Sequence, residues 1–374
     1  MKSYRVAIVG ATGMVGQRFV SLLADHPWFE VVALAASKRS AGQSYAQAVS
    51  NRWAFEEPIP EKLAGMTVLD GANVEEIGGL CDFVFCAVDM PKDQIRELET
   101  AYAKAETPVV ALEEAYARTE TPVISNNSAN RKASDVPMII PELNPEHAGV
   151  IETQRKRLGT RSGFIAVKPN CSIQSYVPVL HPLRDFGIEK IAVCTYQAIS
   201  GAGKTFARWP EMIDNVIPYI GGEEEKSEQE PLKIWGTVTP NGIAPADKPA
   251  ISAQCLRVSV SDGHMAAASV SFAKKPSMEE MIARWRDFEP LPQRLGLPSA
   301  PKPFLQYFEE PDRPQSRLDR DFGRGMGVSI GRLRPDTLLD YRFVALSHNT
   351  LRGAAGGGVL TAELLCHEGY IVRK

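Results

Sequence analysis

The sequence lacks long apolar runs and a strong excess of charge of either sign. Apolar segments such as 136–141 are far shorter than the roughly 20 residues of a membrane-spanning helix. Lysine and arginine total 42 against 45 aspartate and glutamate residues, which leaves no basic surplus for a polyanion. We therefore expect no membrane and no nucleic-acid partner, and a small polar molecule as the substrate.

The cysteines also lack the spacing of a metal site. The six cysteines form no CxxC pair, and no histidine stands near them at zinc-ligand spacing, so no metal is expected. The amino terminus enters a short apolar strand after Arg5, without the apolar core and cleavage site of a secretory signal. These features predict a protein of the reducing cytoplasm.

The length and the order of predicted elements indicate two domains. A chain of 374 residues exceeds the usual size of one hydrophobic core. Strands and helices alternate through the first hundred residues, as in a Rossmann-type parallel sheet, and mixed α+β segments follow. We expect an α/β protein with a nucleotide-binding domain over 1–167, completed by 347–374 through a returning C-terminal helix. A second, catalytic domain is expected over 168–346.

One segment of the first domain occurs twice. Residues 101–110 reappear with three mild changes as residues 115–124. A single duplication does not make a solenoid, so we interpret one copy as a surface insertion. The sequence leaves open which copy carries a strand of the sheet, and it predicts a helix over 94–105.

A glycine-rich turn between the first strand and the first helix predicts a dinucleotide site. Gly10, Gly13 and Gly16 allow a tight turn and a close approach of backbone to a pyrophosphate. Basic and hydroxyl residues then stand where an NAD enzyme commonly has an acidic residue, which favours NADP over a merely solvated turn. The predicted cofactor-binding residues here are Gly10, Thr12, Gly13, Met14, Val15, Ser37, Lys38, Arg39 and Ser40.

Cys171 is the candidate nucleophile. The cysteines at 81, 86, 194 and 366 lie in or beside apolar runs, where the thiol acts as a small buried hydrophobe. Cys171 follows a predicted strand and opens a predicted helix, where backbone N–H groups and the helix dipole lower a thiol pKa and stabilise an oxyanion. The alternative is a packed, inert thiol.

The segment 257–264 offers a cation and a proton carrier together. If it is a strand, Arg257 faces one side and the Asp262-Gly263 turn brings His264 back toward the substrate. His264 is then placed to accept the thiol proton and to return one to an alkoxide. The alternative is a turn histidine in water.

Several longer motifs follow the order found in aspartate-semialdehyde dehydrogenases, and the sequence resembles that family over nearly the whole chain. The likeness is closest to the archaeal and fungal branch. The motifs that carry it are the loop at Gly10, 169–172, 196–203, Arg257 with His264, 348–356, 125–128, 135–137, 141–144, 218–220 and 317–321.

The resemblance implies an activity and an assembly. The reaction is the reversible, NADP-dependent conversion of 4-phospho-L-aspartate to L-aspartate 4-semialdehyde and phosphate through a cysteine thioester. It belongs to the biosynthesis of lysine and diaminopimelate, threonine, methionine and isoleucine. The family assembles through its catalytic domain, so a homodimer or homotetramer is implied.

Matched motif by motif, the resemblance also implies residue roles. Glu224 remains a substitute for Glu223, and Arg131 follows closely on the duplicated segment, which departs from the family pattern. The implied roles are nucleophile for Cys171, orientation of the acyl group for Gln197, general acid and base for His264, carboxylate binding for Arg257, amino-group binding for Glu223, phosphate binding for Lys226 and Arg131, and nicotinamide contact for Ser200, Gly201 and Asn349.

Three alternatives remain. Malonyl-CoA reductase resembles this branch but offers no amino group for Glu223 to bind. N-acetyl-glutamyl-phosphate reductase shares the chemistry but likewise has no use for an ammonium-binding glutamate. A catalytically silent NADP-binding protein would have lost the nucleophile or the base, whereas Cys171 and His264 are both present.

Overall fold

In a computed structural model of the chain, residues 3–88 and 109–374 are described. The predicted helix over 94–105 and most of the first repeat copy lie outside the described residues. The second copy supplies the end of a helix, α5 over 109–118, and the strand Val123–Ser125. A strand of the sheet is thus carried by the second copy.

The first domain is built on six parallel strands in the order β3-β2-β1-β4-β5-β6. The strands are almost entirely apolar because helices cover both faces of such a sheet. They are β1 Tyr4–Val9, β2 Phe29–Ala36, β3 Val68–Asp70, β4 Phe83–Cys86, β5 Val123–Ser125 and β6 Ile165–Val167. The helices are α1 Met14–Leu23, α2 Tyr45–Val49, α3 Glu61–Ala64, α4 Val74–Leu80, α5 over 109–118 and α6 Ile151–Leu158.

The second domain is built on a mixed seven-stranded sheet in the order β13-β14-β15-β12-β7-β11-β8. Its strands are β7 Ile188–Gln197, β8 Val216–Ile217, β11 Ala250–Val258, β12 His264–Phe272, β13 Leu305–Tyr307, β14 Val328–Pro335 and β15 Tyr341–Ser347, and β9 Thr237–Thr239 pairs with β10 Gly242–Ala244 as a hairpin. The helices are α7 Val177–Leu180, α8 Glu223–Ile234, α9 Met278–Arg286, α10 Leu291–Leu295 and α11 Ser316–Asp319.

The helix predicted after Cys171 is shorter than expected. It consists of α7 alone, flanked by the 3₁₀ turns Ser172–Gln174 and His181–Phe186. Pro178 and Pro182 interrupt it, because proline lacks the N–H that a continuous helix needs. The proline-rich segment 290–314 of this domain contains α10 and β13.

The chain ends in the helix α12 Gly356–His367, which returns to the first domain as expected. Val359, Leu360 and Leu364 belong to the same buried cluster as Phe19 of α1. A Cβ added at Gly358 would lie 3.0 Å from Cζ of Phe19, so the two helices pack closely. The helix is buried over most of its length, which is typical of an element that is apolar all round.

We predict that Gly16→Ala destabilises the first domain. A Cβ at Gly16 would lie 2.1 Å from the carbonyl oxygen of Gly10, so the β1–α1 turn has to open. We expect a loss of about 1–3 kcal/mol in the free energy of unfolding, measured by urea titration.

Gly79→Ala in α4 is the matched control, since nothing lies within 4 Å of an added Cβ there. It should stabilise the protein by about 0.5–1 kcal/mol. Equal stability of the Gly16→Ala protein and the wild type would contradict the packing described for the turn.

Candidate active site

The glycine turn lies at the carboxyl end of β1, between the two halves of the first sheet. Gly10 has a φ of +86°, and a Cβ there would meet the carbonyl oxygen of Ala87 at 2.4 Å. The turn is held by Gln17, whose Nε2 donates to the Thr12 carbonyl at 2.9 Å. Gly13 directly precedes α1 and leaves its amino terminus open. Such a backbone cradle, at the point where the strand order reverses, fits a pyrophosphate.

The residues expected to bind a 2′-phosphate lie beside this cradle. Ser37, Lys38 and Arg39 form an exposed turn at the carboxyl end of β2, the neighbour of β1. Ser40 is buried, and its N–H closes the turn by donating to the Ser37 carbonyl at 2.8 Å. Lys38 and Arg39 therefore face solvent. Because β2 pairs with β1, they lie about one strand spacing to the side of the glycine turn.

Three predicted residues stand in one row across the second sheet. β7 and β11 are parallel, and Gln197 pairs with Arg257 where both strands end. β12 is antiparallel to β7 and begins at the same edge with His264, because Met265 pairs with Tyr196. Their side chains are buried on one face of the sheet. The sheet register thus brings together residues far apart in the sequence.

His264 is fully buried, so the alternative of a turn histidine in water is wrong. Its Nδ1 accepts the backbone N–H of Ala198 at 3.1 Å, and its Nε2 has no hydrogen-bond partner among the described residues. Burial, and then the charge of Arg257, lower the pKa of His264 to about 3. The ring is neutral near pH 7 and carries its proton on Nε2, because Nδ1 accepts a hydrogen bond from the Ala198 N–H and must therefore present a lone pair.

The Ser200–Gly201 turn and Asn349 lie at the same edge. Asn349 accepts the N–H of Gly263 at 2.8 Å and donates to Ser200 Oγ at 2.8 Å. A Cβ at Gly201 would lie 2.8 Å from Nη1 of Arg257 and 3.0 Å from Nε2 of His264. Glycine at 201 therefore keeps the approach to both side chains open.

Cys171 begins the short turn after Pro169 and Asn170, where the expectation of a lowered thiol pKa is wrong. Burial, and then the negative charge of Glu223, raise the pKa of Cys171, although Lys168, Arg257 and other cations oppose them. The 3₁₀ turn that follows has only three residues and provides little dipole. The Ser172 N–H, a candidate oxyanion donor, is already bound to Asn170 Oδ1 at 2.7 Å.

One face of α8 lines the site with charged residues. Glu223, Lys226, Glu230 and Lys233 recur at helical spacing, so they point the same way. Glu223 accepts two contacts from Asn170 Nδ2 at 3.0 and 2.9 Å and one from Lys226 at 3.1 Å. Burial opposes its ionisation, but these partners lower the pKa of Glu223 to about 2.

The neighbouring glutamates Glu223 and Glu224 point to different surroundings. Glu223 also accepts a hydrogen bond from Gln197 at 3.3 Å. It therefore connects the turn of the candidate nucleophile, residues 169–172 and called the nucleophile turn below, with the row of residues on the sheet. Glu224 turns to the edge of the sheet, where it accepts the backbone N–H of Cys255 at 3.2 Å. Of the two, Glu223 is therefore the one that contacts the other candidate site residues.

Arg131 is joined to the nucleophile turn by Glu230, a residue that the sequence analysis missed. One carboxylate oxygen of Glu230 accepts Nη1 of Arg131 at 2.9 Å, and the other accepts the N–H of Asn170 at 2.5 Å. Lys233 holds the same segment by donating to the carbonyls of 131, 133 and 136. The helical spacing of 223, 226, 230 and 233 was the signal that could have revealed both.

Lys168 is a second residue that the sequence analysis missed. It is buried beside Cys171 at the end of β6 and donates to the Pro169 carbonyl. Burial, followed by the charge of Arg131, lowers the pKa of Lys168 to about 7. Its place one residue past a parallel strand was the only signal in the sequence.

Within residues 3–88 and 109–374, no group of three or more His, Cys, Asp or Glu side chains is arranged to hold a metal ion. In the same ranges no helix is long and apolar enough to cross a membrane.

Two family models match the chain. Residues 5–151 match the semialdehyde dehydrogenase NAD binding domain, and residues 180–352 match the semialdehyde dehydrogenase dimerisation domain. Among curated proteins, aspartate-semialdehyde dehydrogenase of Archaeoglobus fulgidus is 43% identical over 98% of this chain and 99% of its own. The enzyme of Aspergillus fumigatus is 41% identical over 99% of this chain and 100% of its own.

Solved structures agree with these matches. The structure of aspartate semialdehyde dehydrogenase with NADP from Candida albicans has a TM-score of 0.85 and 38% identity, covering 99% of this chain and 100% of that one. The enzyme II of Vibrio cholerae, complexed with ASA, has a TM-score of 0.69 and 26% identity, covering 98% of this chain and 99% of that one. The resemblance to archaeal and fungal proteins is confirmed.

We predict that Glu223→Gln makes Cys171 more reactive toward iodoacetamide. Glu223 is the charged group that most raises the thiol pKa, so its neutralisation lowers that pKa and increases the thiolate fraction. At about pH 8 we expect alkylation of the Cys171 peptide, followed by mass spectrometry, to accelerate by up to about tenfold.

Glu224→Gln is the control, because the Glu224 carboxylate is bound to the Cys255 amide at the sheet edge. Its alkylation rate should equal that of the wild type. Equal acceleration in both variants would show that Glu223 has no particular influence on the thiol.

Proposed function

This chain belongs to the aspartate-semialdehyde dehydrogenase family, and we propose that it interconverts 4-phospho-L-aspartate and L-aspartate 4-semialdehyde with NADP and phosphate. The observation that carries the proposal is the meeting of three segments around one thiol. Glu223 joins the Cys171 turn to Gln197, in the row that contains Arg257 and His264. In the cell this is a step in the biosynthesis of amino acids that derive from aspartate.

The first domain fits NADP. The open turn at Gly10 and Gly13 suits the pyrophosphate, and the exposed turn at Lys38 and Arg39 suits the 2′-phosphate. Met14 and Val15 begin α1 beside the cradle, with Thr12 before them. Ser200, Gly201 and Asn349 are proposed to contact the nicotinamide. When bound, the reduced cofactor supplies the hydride for the acyl carbon.

Charge complementarity assigns the substrate groups. Arg257 uses Nη1 for the Ala198 carbonyl at 2.7 Å, and the rest of its fork is proposed to bind the α-carboxylate. Glu223 stays ionised and is proposed to bind the amino group. Lys226 and Arg131 are proposed to bind phosphate. The Nε of Arg131 has no hydrogen-bond partner among the described residues.

The proposed reaction begins with attack of the Cys171 sulfur on the acyl carbon, which breaks the bond to phosphate and forms a thioester, and the thiol proton leaves with the phosphate. Arg131 and Lys226 stabilise the departing phosphate charge. After reduction the carbonyl oxygen carries a negative charge, to which the Nε2–H of His264 donates. The C–S bond then breaks, the aldehyde leaves, and the electron pair returns to sulfur, which takes up a proton from water. Gln197 is proposed to orient the acyl group through its amide.

The face of the second sheet opposite to the site is proposed to form a homodimer interface. Ala192, Cys194 and Tyr196 of β7 lie on this face beside Met265 and Ala267 of β12, and all five are partly or fully exposed in the single chain. Burying such a continuous apolar face stabilises an association of two copies. A tetramer of such dimers is compatible with the proposal.

Two further points follow from the proposal. We propose the division into a nucleotide-binding domain, 1–167 with 347–374, and a catalytic and dimerisation domain, 168–346. We also propose a cytoplasmic location, because a catalytic thiol has to remain reduced and the six cysteines are unpaired.

We predict phosphate-dependent formation of NADPH from NADP and L-aspartate semialdehyde, followed by near-ultraviolet absorbance. Cys171→Ala should reduce the rate to background because no thioester can form. Cys255→Ala is the control and should retain activity, because Cys255 is a buried thiol of β11 in contact with Ser227 of α8. No reaction with the semialdehyde, together with NADPH oxidation by malonyl-CoA, would replace the substrate assignment with malonyl-CoA reduction.

We predict that Ala192→Glu dissociates the dimer. Each copy places the new carboxylate in the centre of the proposed apolar interface, where burial of an unpaired charge is unfavourable. Sedimentation velocity should show a shift from dimer to monomer. Leu338→Glu, at a side chain that is 90% exposed in the β14–β15 hairpin, should leave the wild-type distribution. A dimer in both variants would place the interface elsewhere.

A further inference from the structure

A fully buried ion pair stands behind the nucleophile and has no part in the reaction proposed above. Both η nitrogens of Arg352 donate to the two carboxylate oxygens of Glu142, at 2.6 and 2.5 Å. The side chains are 1% and 0% exposed. The Arg352 guanidinium also lies 4.8 Å from the ring centre of Phe304. Its charge is therefore held in one fixed position.

Arg352 also contacts the turn that follows the nucleophile. Its Nε donates to Oε1 of Gln174 at 3.2 Å, and Gln174 ends the 3₁₀ turn that begins beside Cys171. One guanidinium thus uses all three of its nitrogens on two segments. Glu142 belongs to the first domain, and Gln174 belongs to the proposed catalytic domain.

The residue after Arg352 forms the wall against which Cys171 packs. A Cβ at Gly353 would lie 2.9 Å from Cβ and 3.2 Å from Cα of Cys171, so the two backbones are in close contact. The Gly353 N–H donates to the His348 carbonyl at 2.9 Å within the π-helical turn Leu351–Ala355. A displacement of Arg352 moves this wall directly.

The carboxylate side of the pair is equally well fixed. Asn144 accepts the Ile140 N–H at 2.8 Å and donates to the Met138 carbonyl at 2.9 Å, which closes the loop that contains Glu142. The loop that carries Glu142 is therefore fixed by hydrogen bonds of its own residues, independently of Arg352. The ion pair connects two rigid segments and leaves little freedom between them.

We propose that the Glu142–Arg352 ion pair is a positioning device for Cys171, which holds the Gly353 wall and the Gln174 turn on either side of the nucleophile. The inference rests on the proposed function of Cys171 as nucleophile. A bidentate fork between two rigid segments fixes both distance and angle, which a single hydrogen bond does not. Misplacement of a nucleophile by about 1 Å lowers a rate by about a hundredfold.

The test begins with Glu142→Gln. The NH₂ group of the new glutamine faces a guanidinium N–H, and two donors cannot form a hydrogen bond with each other. The bidentate contact therefore opens, and water reaches the thiol. We expect kcat to fall by about tenfold to a hundredfold while KM for the semialdehyde changes by less than about threefold. Without substrate, alkylation of Cys171 at about pH 8 should accelerate, because relief of burial lowers the thiol pKa.

Glu363→Gln is the matched control for the loss of a buried carboxylate. Glu363 is fully buried and accepts contacts from His26 at 2.9 Å and from Ser299 at 3.0 and 2.5 Å, and none of these partners belongs to the candidate site. It should lower Tm as Glu142→Gln does, yet leave kcat and the alkylation rate of Cys171 at their wild-type values. Equal changes in both variants would reduce the Glu142 effect to general destabilisation.

The double variant Glu142→Leu with Arg352→Met separates positioning from stability, even if the single variant fails to fold. An apolar pair of similar volume commonly maintains or raises stability. We expect a Tm at or above that of Glu142→Gln, with kcat still reduced. Wild-type kcat in a stable double variant would overturn the proposal. The alkylation assay needs no substrate, so absence of semialdehyde activity in the wild type would contradict the proposed function alone.

Discussion

The site depends on the requirement that each buried charge meet a partner where it lies. Glu223, Glu230 and Lys233 are 9%, 8% and 7% exposed on one face of α8. Glu230 is satisfied only when the Asn170 N–H and Arg131 both reach it. An unpaired buried charge costs about 3–5 kcal/mol, so α8, the nucleophile turn and the Arg131 segment can assemble in one arrangement only. The contacts that stabilise the fold therefore also define the site.

The second sheet adds a constraint of direction. Parallel strands end at the same edge, and an antiparallel neighbour begins there, so Gln197, Arg257 and His264 become adjacent without any local signal. The same pleat assigns alternate residues to the opposite face, where Tyr196 and Met265 are accessible to a second copy. One strand register thus determines both the row of Gln197, Arg257 and His264 and the proposed interface.

The sequence predicted the features that local pattern controls. The parallel alternation, the glycine turn and the returning helix follow from periodicity and turn chemistry, and the motifs identified Cys171, Arg257 and His264. The helix after Cys171 was overestimated, because Pro178 and Pro182 limit it to short turns. The thiol pKa was predicted in the wrong direction, since burial and the charge of a distant helix are invisible to the sequence.

The pKa shifts of His264 and Cys171 distinguish this thiol from a thiol that is activated by an imidazolium. The low pKa of His264 and the raised pKa of Cys171 leave both groups neutral in the free protein, so no thiolate–imidazolium pair exists beforehand. Arg257 remains charged, and it is fixed by the Ala198 carbonyl, just as Arg131 is fixed by Glu230. Fixed cations need no reorganisation when sulfur or phosphate acquires negative charge. In the proposed reaction, thiolate formation therefore depends on preorganised positive charge in this site, and His264 contributes as a hydrogen-bond donor to oxygen.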